Sequence, residues 1–230
     1  KVEILCKGRR KQHTHEMSGL DRDSKTGLPG KSAYPPFVKS VPQFYSTIFS
    51  IETVVGQAFA HAVYTFGGSA AADAKISAIA SHGLGWMYLG MTVWRIANFA
   101  VGVNLGITRM AAKIHNPDQH VYKVYGSGEG STGYVQMETE GAMGEFNRAQ
   151  RAHMTNVESA PMRLANFLLA SFVFPLPTFL CACVAAASRI SSAFGYKASP
   201  DQRMSLPGMF ASAFIEGMVL YAGWRAVLQQ

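Results

Sequence analysis

The run Phe146-Asn147-Arg148-Ala149-Gln150-Arg151-Ala152-His153, continued by Glu158 and Pro161, gathers cationic, amide, imidazole and carboxylate side chains just ahead of an apolar stretch. An α-helix turns about 100° per residue, so Arg151, Thr155 and Glu158, at offsets of four and seven, share one face. A polar stripe leading into a lipid-immersed helix must face protein, water or a polar ligand. Such a stripe is where function is to be sought.

The elements that must position it are helices. Trp86 to Ile107 holds one charged residue, Arg95, in twenty-two positions, enough to span a hydrocarbon core of about 30 Å. Four helices are expected: about 86–114, 145–174, 178–194 and 207–228. Pro175-Leu176-Pro177 should force the return between the second and third, and Pro207 suits a first helical turn. Residues 115–144 read as a Gly/Glu-rich loop without strands. Upstream, residues 1–43 form a basic Gly/Pro-rich tail with nine Lys/Arg against four Asp/Glu. Residues 44–83 read as an apolar helix, interfacial or an extra span, plus an Ala-rich connector. Residues 84–230 are then an all-α, integral membrane, antiparallel four-helix bundle. In that order Arg109, Arg151, Tyr196 and Arg203 fall at one membrane side. Ala182, Ala185, Ala186, Ala187, Gly217 and Gly223 should let helices approach closely. Arg95 and Asn98 are expected to face the bundle, and Arg189 to be structural, with Glu216 its partner by depth.

Other chemistries are excluded by residue type and spacing. Cys6, Cys181 and Cys183 give neither a disulfide framework nor the ligand set of a structural metal. Glu52 and His61 are out of phase on a straight helix, so no metal is expected. The formal charge of +7 comes without interleaved aromatics or a nucleic-acid motif, so anionic lipid headgroups or an acidic protein suit it better than nucleic acid. Gly126-Ser127-Gly128-Glu129-Gly130 lacks the strand–helix frame of a phosphate loop. The basic start at Lys1 points to a mitochondrial membrane, with the endoplasmic reticulum as the alternative.

Two motifs carry a resemblance. The first is Phe146 to His153 with Glu158 and Pro161, and the second is Arg189-Ile190-Ser191-Ser192-Ala193-Phe194-Gly195-Tyr196. Over roughly residues 84–230 the sequence resembles the membrane-associated proteins of eicosanoid and glutathione metabolism (MAPEG), in particular the microsomal glutathione transferase branch. The resemblance implies a homotrimer binding glutathione between subunits near one membrane face. It implies that Arg151 and Glu158 hold the charged ends of the tripeptide, with His153 beside them. Tyr196 would line the site and Arg203 would activate the thiol, with Arg109 a further binding residue. A guanidinium favours the thiolate, which is the nucleophile. Several positions depart from the pattern. Thr155 stands where an asparagine is usual, with Asn156 one residue on. Ser192 replaces a tyrosine, Ser159 and Ala160 follow the motif glutamate, and Met110 follows Arg109. Each missing donor or acceptor removes on the order of 1 kcal/mol of binding.

Two functions follow. The expectation favoured narrowly is an accessory subunit of a larger membrane complex, held through residues 1–83 and 115–144, with a partly degraded glutathione site. The other is a glutathione transferase or peroxidase acting on lipophilic electrophiles or lipid hydroperoxides.

Overall fold

Prolines fix most of the helix starts in the computed structural model, which describes residue 30 and residues 34–116, 118–126 and 133–229. The tail expected over residues 1–43 lies mostly outside the described residues. Helix α1 (Val41–Phe66) opens on Ser40, whose Oγ accepts from the Gln43 N–H at 3.4 Å, with Pro42 in its first turn. A short helix α2 (Ser69–Ser81) leads to α3 (Gly85–Ala112). Then come α4 (Gly141–Glu158), α5 (Ala160–Val173), α6 (Pro175–Ala198), a 3-10 turn Pro200–Arg203 and α7 (Leu206–Leu228). Proline sits in the first turn of α5, α6 and α7, where its missing N–H would have had no intrahelical partner.

Several boundaries differ from the sequence reading. Helix α4 begins at Gly141 rather than near 145, and α6 at Pro175 rather than 178, so the expected Pro175-Leu176-Pro177 return is the first turn of α6. The helix expected over 145–174 is two helices that meet at Ser159. Pro161 has no N–H to offer the Val157 carbonyl, and Ser159 Oγ donates instead to Thr155 O at 2.8 Å. Residues 115–144 hold two strands, β1 (Tyr122–Tyr125) and β2 (Tyr134–Met137), paired antiparallel with Val124 opposite Val135. Strands of four residues offer too few alternations to stand out in the sequence. Helix α6 runs through Gly195 rather than ending there. Gly195 is needed because Gln202 packs over it, with Oε1 2.6 Å from where a Cβ would stand.

Contacts fix the direction of each helix. Trp86 meets Phe179 and Asn104 donates to Ala193 O at 3.0 Å, so α3 and α6 are parallel. Gly90 lies against Phe167 and Asn98 against Asn156, so α4 and α5 run against α3. Thr178 meets Met218 and Ser188 meets Gly208, so α7 runs against α6. The result is an up-down-up-down bundle whose second rod is α4 continued by α5. Its core gathers Trp94, Ala97, Phe167, Ala182, Ala185, Ala186 and Ala211. Ala187, Gly217 and Gly223, expected to help the helices close, face outward instead.

Helix α1 packs on α3 from outside the bundle. Phe49 stacks on Phe99 at 4.4 Å between ring centroids, and Arg95 pairs with Glu52 at 3.7 Å while lying over Phe49. Arg95 therefore turns toward α1, while Asn98, itself exposed, accepts from the Asn156 amide at 2.8 Å. By length and composition, α6 and the segment Pro200–Leu228 can cross a membrane. The outer face of α7 bears Phe210, Phe214, Leu220 and Trp224, all exposed, and such a face suits lipid.

Gly90 is the tightest helix–helix approach, since a Cβ there would collide with the Phe167 ring. Gly90→Val should destabilise the bundle by about 1–3 kcal/mol, read as a lower thermal midpoint in detergent. An unchanged midpoint would contradict the packing described.

Candidate functional site

The first polar residues of the α4 run are structural. Asn147, 4% exposed, donates to Val121 O and Glu138 O at 2.8 Å and accepts from the Val121 N–H at 2.9 Å. Arg148 donates to Lys197 O at 2.9 Å and Thr139 O at 2.6 Å. Together they tie the hairpin and the end of α6 to α4. Phe146 is fully buried under the Arg109 guanidinium.

One turn further, α4 presents Arg151 and Thr155 to a cleft of about 880 Å³. Helix α5 adds Arg163, and α6 adds Ser188, Arg189, Ser192 and Tyr196. The 3-10 turn supplies Arg203, and α7 closes the far wall with Met209, Ser212 and Glu216. Trp94 of α3 forms part of the floor, and Met137 of β2 reaches the mouth. The volume lies toward the upper end of ligand pockets, about 300–1,000 Å³.

Of the six residues expected at the site, Arg151, Tyr196 and Arg203 line this cleft. Arg151 is held by Glu158 at 3.2 Å, each side chain about half exposed at 52%. Glu158 thus stands beside the cleft through its ion pair rather than as part of the wall. Tyr196 and Arg203 have no hydrogen-bond or ion-pair partner among the described residues.

Arg109 and His153 do not line the cleft. Arg109 is 9% exposed and donates to His115 O at 3.2 Å and Asp118 O at 2.9 Å. The chain after α3 folds back over it and takes up its guanidinium. His153 is half-buried, and its Nδ1 has no partner among the described residues. At two residues from Arg151 it points about 200° around the helix. The ion pair expected between Arg189 and Glu216 is not formed either, although both line the cleft. Arg189 has no ion-pair or hydrogen-bond partner among the described residues.

Arg163 was missed by the sequence reading. Its Nη1 donates to Asn156 Oδ1 at 3.0 Å and its Nη2 to Asn156 O at 2.8 Å, and the guanidinium lies 4.8 Å from the Trp94 ring centroid. Asn156, 4% exposed, donates in turn to Asn98 Oδ1 at 2.8 Å. A signal existed, because an arginine within an apolar helix marks function by default. Four guanidiniums thus face one carboxylate, Glu216, across the cleft wall. Among the described residues no cluster of His, Cys, Asp or Glu could hold a metal ion.

The MAPEG family model matches residues 87–224, a span that includes every residue named here as lining the cleft. No curated protein matches the chain.

The mouth depends on Glu138, whose Oε1 accepts from the N–H groups of Thr139 at 2.9 Å and Glu140 at 3.1 Å. The Glu140 bond, the largest effect, outweighs the opposing effect of burial, and with the Thr139 bond and the charge of Lys123 it holds the carboxyl below the ordinary glutamate range. A lowered folded pKa gives stability that is present above the unfolded value and lost as pH falls through the folded one. The amide resonances of Thr139 and Glu140 should therefore shift together as Glu138 protonates, below the ordinary glutamate range. Glu138→Gln should remove that step; a step that persists would assign it elsewhere.

Proposed function

Because the chain belongs to the MAPEG family, we propose that this integral membrane protein binds glutathione in the α4–α7 cleft. The reading adopted is a transferase or peroxidase of the microsomal glutathione transferase kind, acting on lipophilic electrophiles or lipid hydroperoxides. The observation that carries it is the convergence of Arg151, Tyr196 and Arg203 on one cleft, the last two with donors uncommitted. Arg151, already balanced by Glu158, offers its remaining N–H groups to a carboxylate of the tripeptide. Arg203 is permanently charged and stabilises a thiolate over a thiol. Tyr196 O–H donates to the same sulfur or to a neighbouring carbonyl. The thiolate attacks the electrophilic carbon, a sulfur–carbon bond forms, and the leaving group departs with the bonding pair. The apolar substrate reaches the cleft from lipid, past Met204 and Met209.

Thr155 and Ser192 line the cleft where the resemblance implies an asparagine and a tyrosine. Purified protein should turn over a chromogenic electrophile with glutathione, and Arg203→Ala should abolish the ultraviolet absorbance of the bound thiolate. Ser192→Tyr should tighten glutathione binding about five- to tenfold, the worth of one added hydrogen bond. A folded wild-type protein without turnover would defeat the enzyme reading.

A second reading is an accessory subunit of a larger membrane complex. It is favoured by the Arg151–Glu158 pair, in which the two binding groups satisfy each other. It is favoured also by α1, which leaves Ile51, Val54, Phe59 and Phe66 exposed on its outer face. Removing residues 1–33 should then release the protein from its assembly while α3–α7 stays folded. Unchanged migration of the assembly on a native gel would count against it.

A further inference from the structure

Arg163 and Arg189 stand apart from the residues assigned to glutathione. Arg189 precedes Tyr196 by seven residues, which places it about 10 Å deeper along α6 at 1.5 Å per residue. Arg163 lies in the first turns of α5 and lines the same cleft. Both are half-buried and lie within helices whose other residues are largely apolar.

A guanidinium has five N–H donors. Arg163 commits two of its own to Asn156, which leaves three, and Arg189 commits none among the described residues. Ser188 and Ser192 add hydroxyls on the same wall, while Trp94, Ala185, Met209 and Ala213 supply apolar surface beside them. Glu216 faces this region but forms no ion pair with either arginine. Arg163 is also fixed in place, clamped by Asn156 below and the Trp94 ring alongside. Two cations lining one cleft, neither ion-paired among the described residues, one of them clamped and both with donors to spare, describe a receptor for an oxyanion.

We propose that Arg163 and Arg189 form a second anion subsite in the deep half of the cleft. It holds the oxyanion headgroup of a lipid, a fatty-acid carboxylate or a phospholipid phosphate, with the acyl chain lying along Trp94, Met209 and Ala213. The subsite requires that the bundle lie in a membrane, and it stands whether or not the outer half binds glutathione. A lipid source follows from the walls, since a free inorganic anion would gain nothing from the apolar lining.

The test uses the full chain, delipidated in uncharged detergent and observed by native mass spectrometry. The probes are oleate, dioleoyl phosphatidic acid, dioleoylglycerol and inorganic phosphate. Oleate or phosphatidic acid should be retained at one copy per chain, at least about tenfold over dioleoylglycerol, and the preferred one identifies the headgroup. Arg163→Gln and Arg189→Gln should each reduce retention about tenfold, the worth of a charge-assisted hydrogen bond. Arg225→Gln, the same charge change in the last turn of α7 outside the cleft, should leave it intact. Glu216→Gln should increase retention, which keeps the test decisive should Arg163→Gln fail to fold. Equal retention of dioleoylglycerol, equal loss in Arg225→Gln, or binding of inorganic phosphate as tight as the lipid would overturn the proposal. Glutathione binding is read separately by calorimetry, so its absence would bear on the enzyme reading alone.

Discussion

The bonding of Asn156 at the junction of α4 and α5 is the interaction on which the rest of the cleft depends. Pro161 interrupts the backbone ladder there, and a break inside an apolar bundle leaves carbonyls that must find donors. Beside the break, Arg163 spans the side-chain and backbone oxygens of Asn156, and Ser159 Oγ bonds the Asn156 carbonyl and the Thr155 carbonyl, which also accepts the Ser159 N–H at 3.2 Å. The Asn156 amide then reaches across to Asn98 on α3. One asparagine thereby joins the break, the bundle interior and a guanidinium of the cleft. A helix that ran unbroken from 145 to 174 would need none of this, and Arg163 would have no reason to turn inward.

Small residues make that inward turn feasible. Ala182, Ala185 and Ala186 keep α6 close to α3, while Gly90 admits the Phe167 ring. Close approach on the α3 side opens the wedge on the other, between α4–α5 and α7, where the polar groups collect. The charges there are unequal in their bonding. Arg151 has its own carboxylate, Arg163 has an amide and an aromatic face, and Arg189 and Arg203 have neither among the described residues. A ligand therefore meets two committed cations and two uncommitted ones, arranged at two depths.

Much of the scaffold was legible from sequence because proline and helical period act locally. Pro207 marks the start of α7 within a residue, Pro175 and Pro177 the turn into α6, and chain parity alone brings Arg151, Tyr196 and Arg203 to one side. What escaped depends on contacts that no local pattern carries. Arg109 sits at the expected level, yet the chain over 114–118 folds back to accept from it. The hairpin is pinned by Asn147, and its strands are too short to announce themselves. His153 lies off the cleft for a local reason: the same 100° step that groups Arg151 with Thr155 and Glu158 turns His153 away.

The shift of an asparagine from position 155 to 156 shows how a one-residue displacement redirects a site. It rotates the amide by about 100°, from the cleft wall to the bundle interior. Thr155 is left at the wall with a shorter side chain, and the amide becomes a clamp for Arg163 instead. The cleft thus loses a neutral hydrogen-bonding group near its mouth and gains a fixed cation at greater depth. On the proposed readings those two changes would act oppositely on two ligands. Glutathione, recognised at the mouth, would lose one hydrogen-bonding partner. The amphiphile proposed for the deep subsite would bring its negative group to the spare donors of Arg163 and Arg189 and its tail to walls already apolar.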